Sequence, residues 1–152
     1  MKILGIDPGF GILGWSIIDK SLHCIDYGII ETSSNDSIEN RLFEIHIKLE
    51  ELICNYKPDC VSVEKLFFQK NVKTAIDVAK ALGVILLTIK KYELPYHEYT
   101  PSQVKQALTG FGRASKEQMQ HMIKTIFNLK DIPKPDDAAD ALAIAACHSF
   151  SL

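Results

Sequence analysis

Four carboxylates stand out by their settings. Asp7 ends the short apolar run Ile3-Leu4-Gly5-Ile6, and Glu64 ends another, Cys60-Val61-Ser62-Val63. Asp137 and Asp140 lie three residues apart in Asp137-Ala138-Ala139-Asp140-Ala141-Leu142-Ala143. On a helix that spacing puts both acids on one face, among small apolar neighbours. Clustered carboxylates repel one another, and burying them unpaired is costly. Divalent cations relieve both difficulties, and an all-oxygen donor set selects Mg²⁺ or Mn²⁺ over zinc. Two such ions about 3.5–4 Å apart can activate a water and stabilise the leaving oxygen of a phosphodiester. Each acid also has a plainer reading. Asp7 before Pro8-Gly9 can begin a turn, Glu64 can be a surface charge at a strand end, and Asp137 can serve the helix dipole. Asp136 fits that last role better and is left outside the site. Periodicity alone does not bring the four together.

The elements that must position these acids follow from hydrophobic patterning. Residues 2–7 read as a strand, and Pro8-Gly9-Phe10-Gly11 as a turn. Residues 12–19 and 22–31 read as two further strands, joined by short turns as in an antiparallel meander. The turn-rich stretch Ser33 to Asp36 can cap a helix over 37–56, where Ile38, Leu42, Ile45, Leu49, Leu52 and Ile53 recur at helical spacing. After Lys57-Pro58-Asp59, residues 60–64 read as a buried strand. A second long helix is expected over about 70–91, apolar on more than one face. Such a helix is deeply buried or packs against two neighbours, the second of which can be another subunit. A short strand over 95–99 precedes helices over about 101–108, 115–127 and 136–149, with Pro101 suited to a first turn and Ser115 to an N-cap. This order predicts an α/β fold with a mixed central β-sheet flanked by α-helices.

At 152 residues, 47% hydrophobic and 24% charged, the chain suits one globular domain over 1–152 and not the disordered class. It has no run of about 18 apolar residues and no signal-peptide pattern, which points to a cytoplasmic protein without a membrane segment. Cys24, Cys54, Cys60 and Cys147 are scattered without a CxxC pair, so buried free thiols are expected in place of a zinc or redox motif. The net charge of −2 does not suggest a nucleic-acid binder, but its distribution is uneven. Residues 1–64 carry 5 basic and 11 acidic side chains, residues 65–91 carry 6 and 1, and residues 101–130 carry 5 and 1. One basic side on an acidic protein is compatible with that asymmetry.

The motifs in order resemble the RuvC family of Holliday junction resolvases. Gly5-Ile6-Asp7-Pro8-Gly9 with Gly14-Trp15 is similar to its opening, and Val63-Glu64-Lys65-Leu66-Phe67-Phe68-Gln69-Lys70-Asn71 to its second acidic motif. Gln103-Val104-Lys105-Gln106 and Gly110-Phe111-Gly112-Arg113-Ala114-Ser115-Lys116 are similar to its basic segment, and Asp137-Ala138-Ala139-Asp140-Ala141-Leu142-Ala143 to its C-terminal motif. The resemblance implies an RNase H-like fold. It also implies a bacterial endonuclease that resolves four-way junction DNA by paired symmetric nicks in recombination and repair, working as a homodimer with a RuvA–RuvB branch-migration complex. By the same matching Asp7, Glu64, Asp137 and Asp140 are the metal ligands, for two Mg²⁺ ions with Mn²⁺ a possible substitute. Phe67 matches a junction-inserting aromatic, with Phe68 competing for that role. Lys105 and Lys116 match basic positions near the scissile phosphate, and Lys70, Lys73 and Arg113 are further phosphate contacts on electrostatic grounds. His121 and His148 are expected to be structural or solvent-facing. An actin-like kinase fold, an RNA-acting relative and a junction binder without cleavage are the rival readings. The intact acidic quartet argues against the last.

Overall fold

The computed structural model describes residues 1–67 and 72–152. Phe68 and Lys70, both named above as DNA-facing, lie outside the described residues. The elements are β1 (Lys2–Asp7), β2 (Ile12–Asp19), β3 (Cys24–Glu31), α1 (Ile38–Tyr56), β4 (Cys60–Glu64), α2 (Val72–Lys91), β5 (Tyr96–Tyr99), α3 (Pro101–Thr109), α4 (Lys116–Ile126) and α5 (Asp136–Phe150). β3 begins two residues later than the pattern predicts. The Asp19 carboxylate accepts from the backbone N–H of Ser21 and of His23, and Leu22 takes a φ of 64°, so residues 20–23 form a tight turn. α1 is capped by Ser37, not by the residues just before it. The Ser37 hydroxyl accepts from the Asn40 N–H, while Asp36 accepts from Ser37 itself.

The sheet runs in the order β3-β2-β1-β4-β5. The first three strands form the expected antiparallel meander, whereas β4 lies parallel to β1 and β5 parallel to β4. The sheet is therefore mixed, with helices on both faces. Strand alternation divides the core in two. Leu4, Ile6, Leu13, Ile17, Val61 and Val63 point towards α1 and α2, where they meet Ile45, Leu49, Ile53 and Ile85. Ile3, Ile18 and Cys60 point the other way, towards Val104, Ile123, Leu142 and Ile144 of α3, α4 and α5. Each such fully buried aliphatic side chain contributes about 1.5–3 kcal/mol.

The many-sided apolar pattern of α2 has a partial explanation in the fold. Ala75, Ala81, Ile85 and Ile89 are buried, while Val72, Ile76 and Leu87 remain exposed, Leu87 to 70%. All four cysteines are free. Cys60 and Cys147 are buried and Cys24 half-buried as expected, but Cys54 is exposed on α1, where its thiol donates to the Tyr92 hydroxyl at 3.6 Å.

Candidate active site

Parallel pairing of β1 with β4 brings the first two acids together. Ile6 stands opposite Val63, so Asp7 and Glu64 come next at the same edge of the sheet. By the same alternation that buries Ile6 and Val63 against α1 and α2, Asp7 and Glu64 face α5.

α5 reaches that edge because the sheet beneath it is nearly bare of side chains. A Cβ on Gly14 would lie 1.9 Å from the Asp137 carbonyl oxygen, and one on Gly5 would lie 2.3 Å from that of Ala141. Between them Ser16, fully buried, donates its hydroxyl to the Ala141 carbonyl at 2.9 Å. The alanines of α5 complete the seam: Ala138, Ala141 and Ala145 have no solvent exposure. Small residues on both sides let backbone approach backbone, which sets Asp137 and Asp140 beside the strand-end acids.

The electrostatics report how close the four are. Burial, then the charges of Glu64 and Asp140, raise the Asp7 carboxyl from its ordinary value to about 9. Asp7 lies within hydrogen-bonding reach of Glu64, so a protonated Asp7 donates to the Glu64 carboxylate. Burial also raises Glu64, against the opposing pull of that hydrogen bond and of the nearby Lys105. Asp140 sits at an open rim, yet desolvation of its carboxyl end and the charge of Glu64 raise it to about 6. Asp137 acts on both Asp7 and Asp140 as a further negative charge. Among the described residues, no three acidic, histidine or cysteine side chains close into a ready-made cation shell. The four acids instead form a hydrogen-bonded pair facing two helix carboxylates. The donor set fits Mg²⁺ or Mn²⁺: it is all hard oxygen, and the raised affinity of Asp7, Glu64 and Asp140 for protons reports the excess negative charge a divalent cation would relieve.

A cleft of about 250 Å³ opens beside the acids, lined by Glu64 and Asp140 together with Lys105, Lys116, Met119 and Gln120. Capping boxes fix the two helices that carry its lysines. Thr100 accepts from the Gln103 N–H and Gln103 returns the bond to Thr100, and Ser115 and Gln118 do the same at α4. Lys105 is half-buried in the cleft beside Glu64, whereas Lys116 at its rim pairs with Asp136. Arg113 is exposed on the loop between α3 and α4, and Lys73 is exposed in the first turn of α2. Phe67, 50% exposed, follows Glu64 at the exit of β4. His121 is exposed, whereas His148 is buried, stacked on His97 at 4.3 Å and hydrogen-bonded through Nδ1 to the Tyr99 hydroxyl.

Two residues of this neighbourhood escape the pattern-based reading. In the sequence Asp136 speaks only for a helix end, and Gln120 carries no motif. Gln120 donates to Asp136 at 3.3 Å. Its one legible signal is its position four residues after Lys116 on α4, one turn along the same face.

The chain matches the model of the family described as crossover junction endodeoxyribonuclease RuvC over residues 3–148. It is 53% identical over 151 residues to the protein of that name from Petrotoga mobilis, covering 97% of this chain and 93% of the relative. The Halothermothrix orenii protein of the same name is 53% identical over 154 residues, with 99% and 93% covered. The structure of Thermus thermophilus RuvC in complex with a Holliday junction substrate superposes with a TM-score of 0.93 at 36% identity, covering 99% of this chain and 94% of that one. The yeast mitochondrial Holliday junction resolvase, at 14% identity and a TM-score of 0.66, shares the fold. The mixed five-stranded sheet with flanking helices is thus an RNase H-like fold, and the chain belongs to the RuvC family of crossover junction endodeoxyribonucleases.

Proposed function

We propose that this chain resolves four-way DNA junctions by nicking two opposed strands, with Asp7, Glu64, Asp137 and Asp140 holding two Mg²⁺ ions at the sheet edge. The observation that carries the reading is the meeting of the Asp7–Glu64 pair with the α5 carboxylates, at a cleft that Lys105 and Lys116 also line. When bound, the cations activate a water and neutralise charge at the leaving oxygen. Hydrolysis of the phosphodiester adds a water oxygen to the scissile phosphorus and releases the 3′ oxygen, which takes up a proton, leaving 5′-phosphate and 3′-hydroxyl ends.

The chain's own residues bind, orient and shield. Lys105 and Lys116 hold the strand by its phosphates in the cleft beside the acids, and Arg113 and Lys73 extend the phosphate path outwards. Phe67 is accessible beside Glu64 and can stack on a base unpaired at the crossover. Without cations, Asp7 and Glu64 hold one proton between them, so cation binding releases it.

A homodimer places two such sites on opposed strands. The exposed apolar side chains of α1 and α2, Phe43, Ile76 and Leu87, support a second copy on that face. The substrate is the DNA that a bacterial RuvA–RuvB complex migrates in the cytoplasm.

The test is cleavage of a labelled synthetic four-way junction beside a linear duplex of the same sequence, with Mg²⁺ and with EDTA. Paired symmetric nicks in the junction alone, only with Mg²⁺, are expected. Asp7→Asn should abolish them while leaving junction binding intact, and wild-type cleavage by that variant would overturn the site assignment.

A further inference from the structure

Lys116 is the first residue of α4, where the helix dipole disfavours a cation. Its ammonium is nonetheless anchored. It pairs with Asp136, the first residue of α5, and the second oxygen of Asp136 accepts from Gln120 Nε2 at 3.3 Å, one turn along α4 from Lys116. Asp136, by contrast, sits where the α5 dipole favours an anion, so its carboxylate is well placed with or without the lysine. The same ammonium feels the charges of Asp140 and Asp137, two of the four acids. A lysine freed from Asp136 would move against those acids, and a protein cation would then neutralise the excess negative charge that suits a divalent ion.

We propose that Asp136, braced by Gln120, is a positioning residue that parks Lys116 at the rim of the cleft, keeping its ammonium off Asp137 and Asp140. The proposal rests on the reading that those acids hold the cation. Parking leaves the carboxylates free in the absence of DNA. The pair is open to solvent on both sides, with the two side chains 62% and 44% exposed, so it is weak and exchangeable. That weakness lets an incoming phosphate take Lys116 over from Asp136. The motif-matched residues are thereby supplemented by one whose role is to manage another.

The experiment is Mn²⁺ binding to the DNA-free protein, followed by the paramagnetic resonance of free Mn²⁺, in wild type, Asp136→Asn, Lys116→Gln, the double variant and Asp136→Glu. Asn keeps the size and shape of the side chain at a position 44% exposed, so the fold tolerates the lost charge. Asp136→Asn should weaken Mn²⁺ binding about fivefold, the ceiling set by an exposed ion pair. Asp136→Glu should recover most of it, and in the Lys116→Gln background Asp136→Asn should change the affinity less than about twofold. Equal weakening in both backgrounds would mean that Asp136 acts only through its own charge, and the proposal falls; unchanged affinity in Asp136→Asn overturns it as well. Asp7→Asn separates the two levels: undiminished Mn²⁺ binding there would sink the assignment of the four acids, not the parking of Lys116.

Discussion

The two faces of the sheet are packed to different rules. Towards α1 and α2 the strands present Leu4, Ile6, Leu13 and Ile17, and the helices answer with Ile45, Leu49 and Ile85, all without solvent exposure. Towards α5 they present Gly5, Gly14 and Ser16 along one seam, answered by Ala138, Ala141 and Ala145. The first face gains stability from volume. The second gives up volume for proximity, and proximity is what sets two carboxylates of a helix beside two at strand ends. A fold can thus assign adhesion to one side of a sheet and placement to the other.

The contrast can be broken most forcefully on the aliphatic face. Leu49→Ala should cost about 2–5 kcal/mol of unfolding free energy, while junction cleavage per folded molecule stays near wild type. Equal damage to stability and to turnover would erase the distinction, and denaturant titration beside a cleavage assay decides it.

Gly14→Val is the converse. Its side chain would collide with the Asp137 backbone, which has no rotamer by which to give way, so α5 must shift. If the proposed site holds, cleavage should drop by about a hundredfold, the cost of moving one of its acids by about an ångström. The stability loss should be about 1–3 kcal/mol. Cleavage at the wild-type rate would show that the close approach at Gly14 does not place the acids.

A pH series sharpens the electrostatic side of the comparison. The Asp7 carboxyl is raised to about 9, so it keeps its proton in the folded protein after the unfolded chain has lost it. Its contribution to stability is complete below about pH 4, declines as pH rises, and is gone above the folded value. Asp140 adds a smaller loss in the same direction, finished above its value of about 6. In EDTA the protein should therefore lose on the order of 2 kcal/mol between pH 5 and 9. Mg²⁺ should reverse the trend, and Asp7→Asn should flatten most of it. Melting curves flat in wild type across that range would contradict the buried charge at Asp7.

The smallest effect is expected at Ser16→Ala, which removes the hydroxyl donated to the Ala141 carbonyl inside the seam. About 1 kcal/mol should be lost, with cleavage reduced only a few-fold, since the glycines still admit α5. A loss larger than that of Gly14→Val would make the hydrogen bond, not the bare backbone, the source of placement.

Much of this architecture is legible in the sequence because burial imposes a period. β2 over 12–19, α1 from its six aliphatics and β4 over 60–64 follow from patterning alone, and Ser115 declares itself as a cap. The individual acids are visible as charges closing apolar runs. Their meeting is not, because it depends on a parallel pairing of β1 with β4 across more than fifty residues of chain, which no local period encodes. The Gly14–Asp137 approach is equally silent, since a glycine in a strand looks the same whether a helix or solvent lies above it. The pairing of Lys116 with Asp136 joins two helix ends twenty residues apart, each with a sufficient local reading of its own.

Trp15 lies between Gly14 and Ser16 on β2, with its ring on the opposite face of the sheet, against Gly28 and 6.0 Å from the ring of Tyr56. It is the single tryptophan of the chain. The strand that carries the seam therefore carries its own fluorophore, placed one residue from the backbone that α5 touches and shielded from the cleft by the sheet. Cation or junction binding that moves β2 against α5 becomes an optical signal in the unlabelled protein.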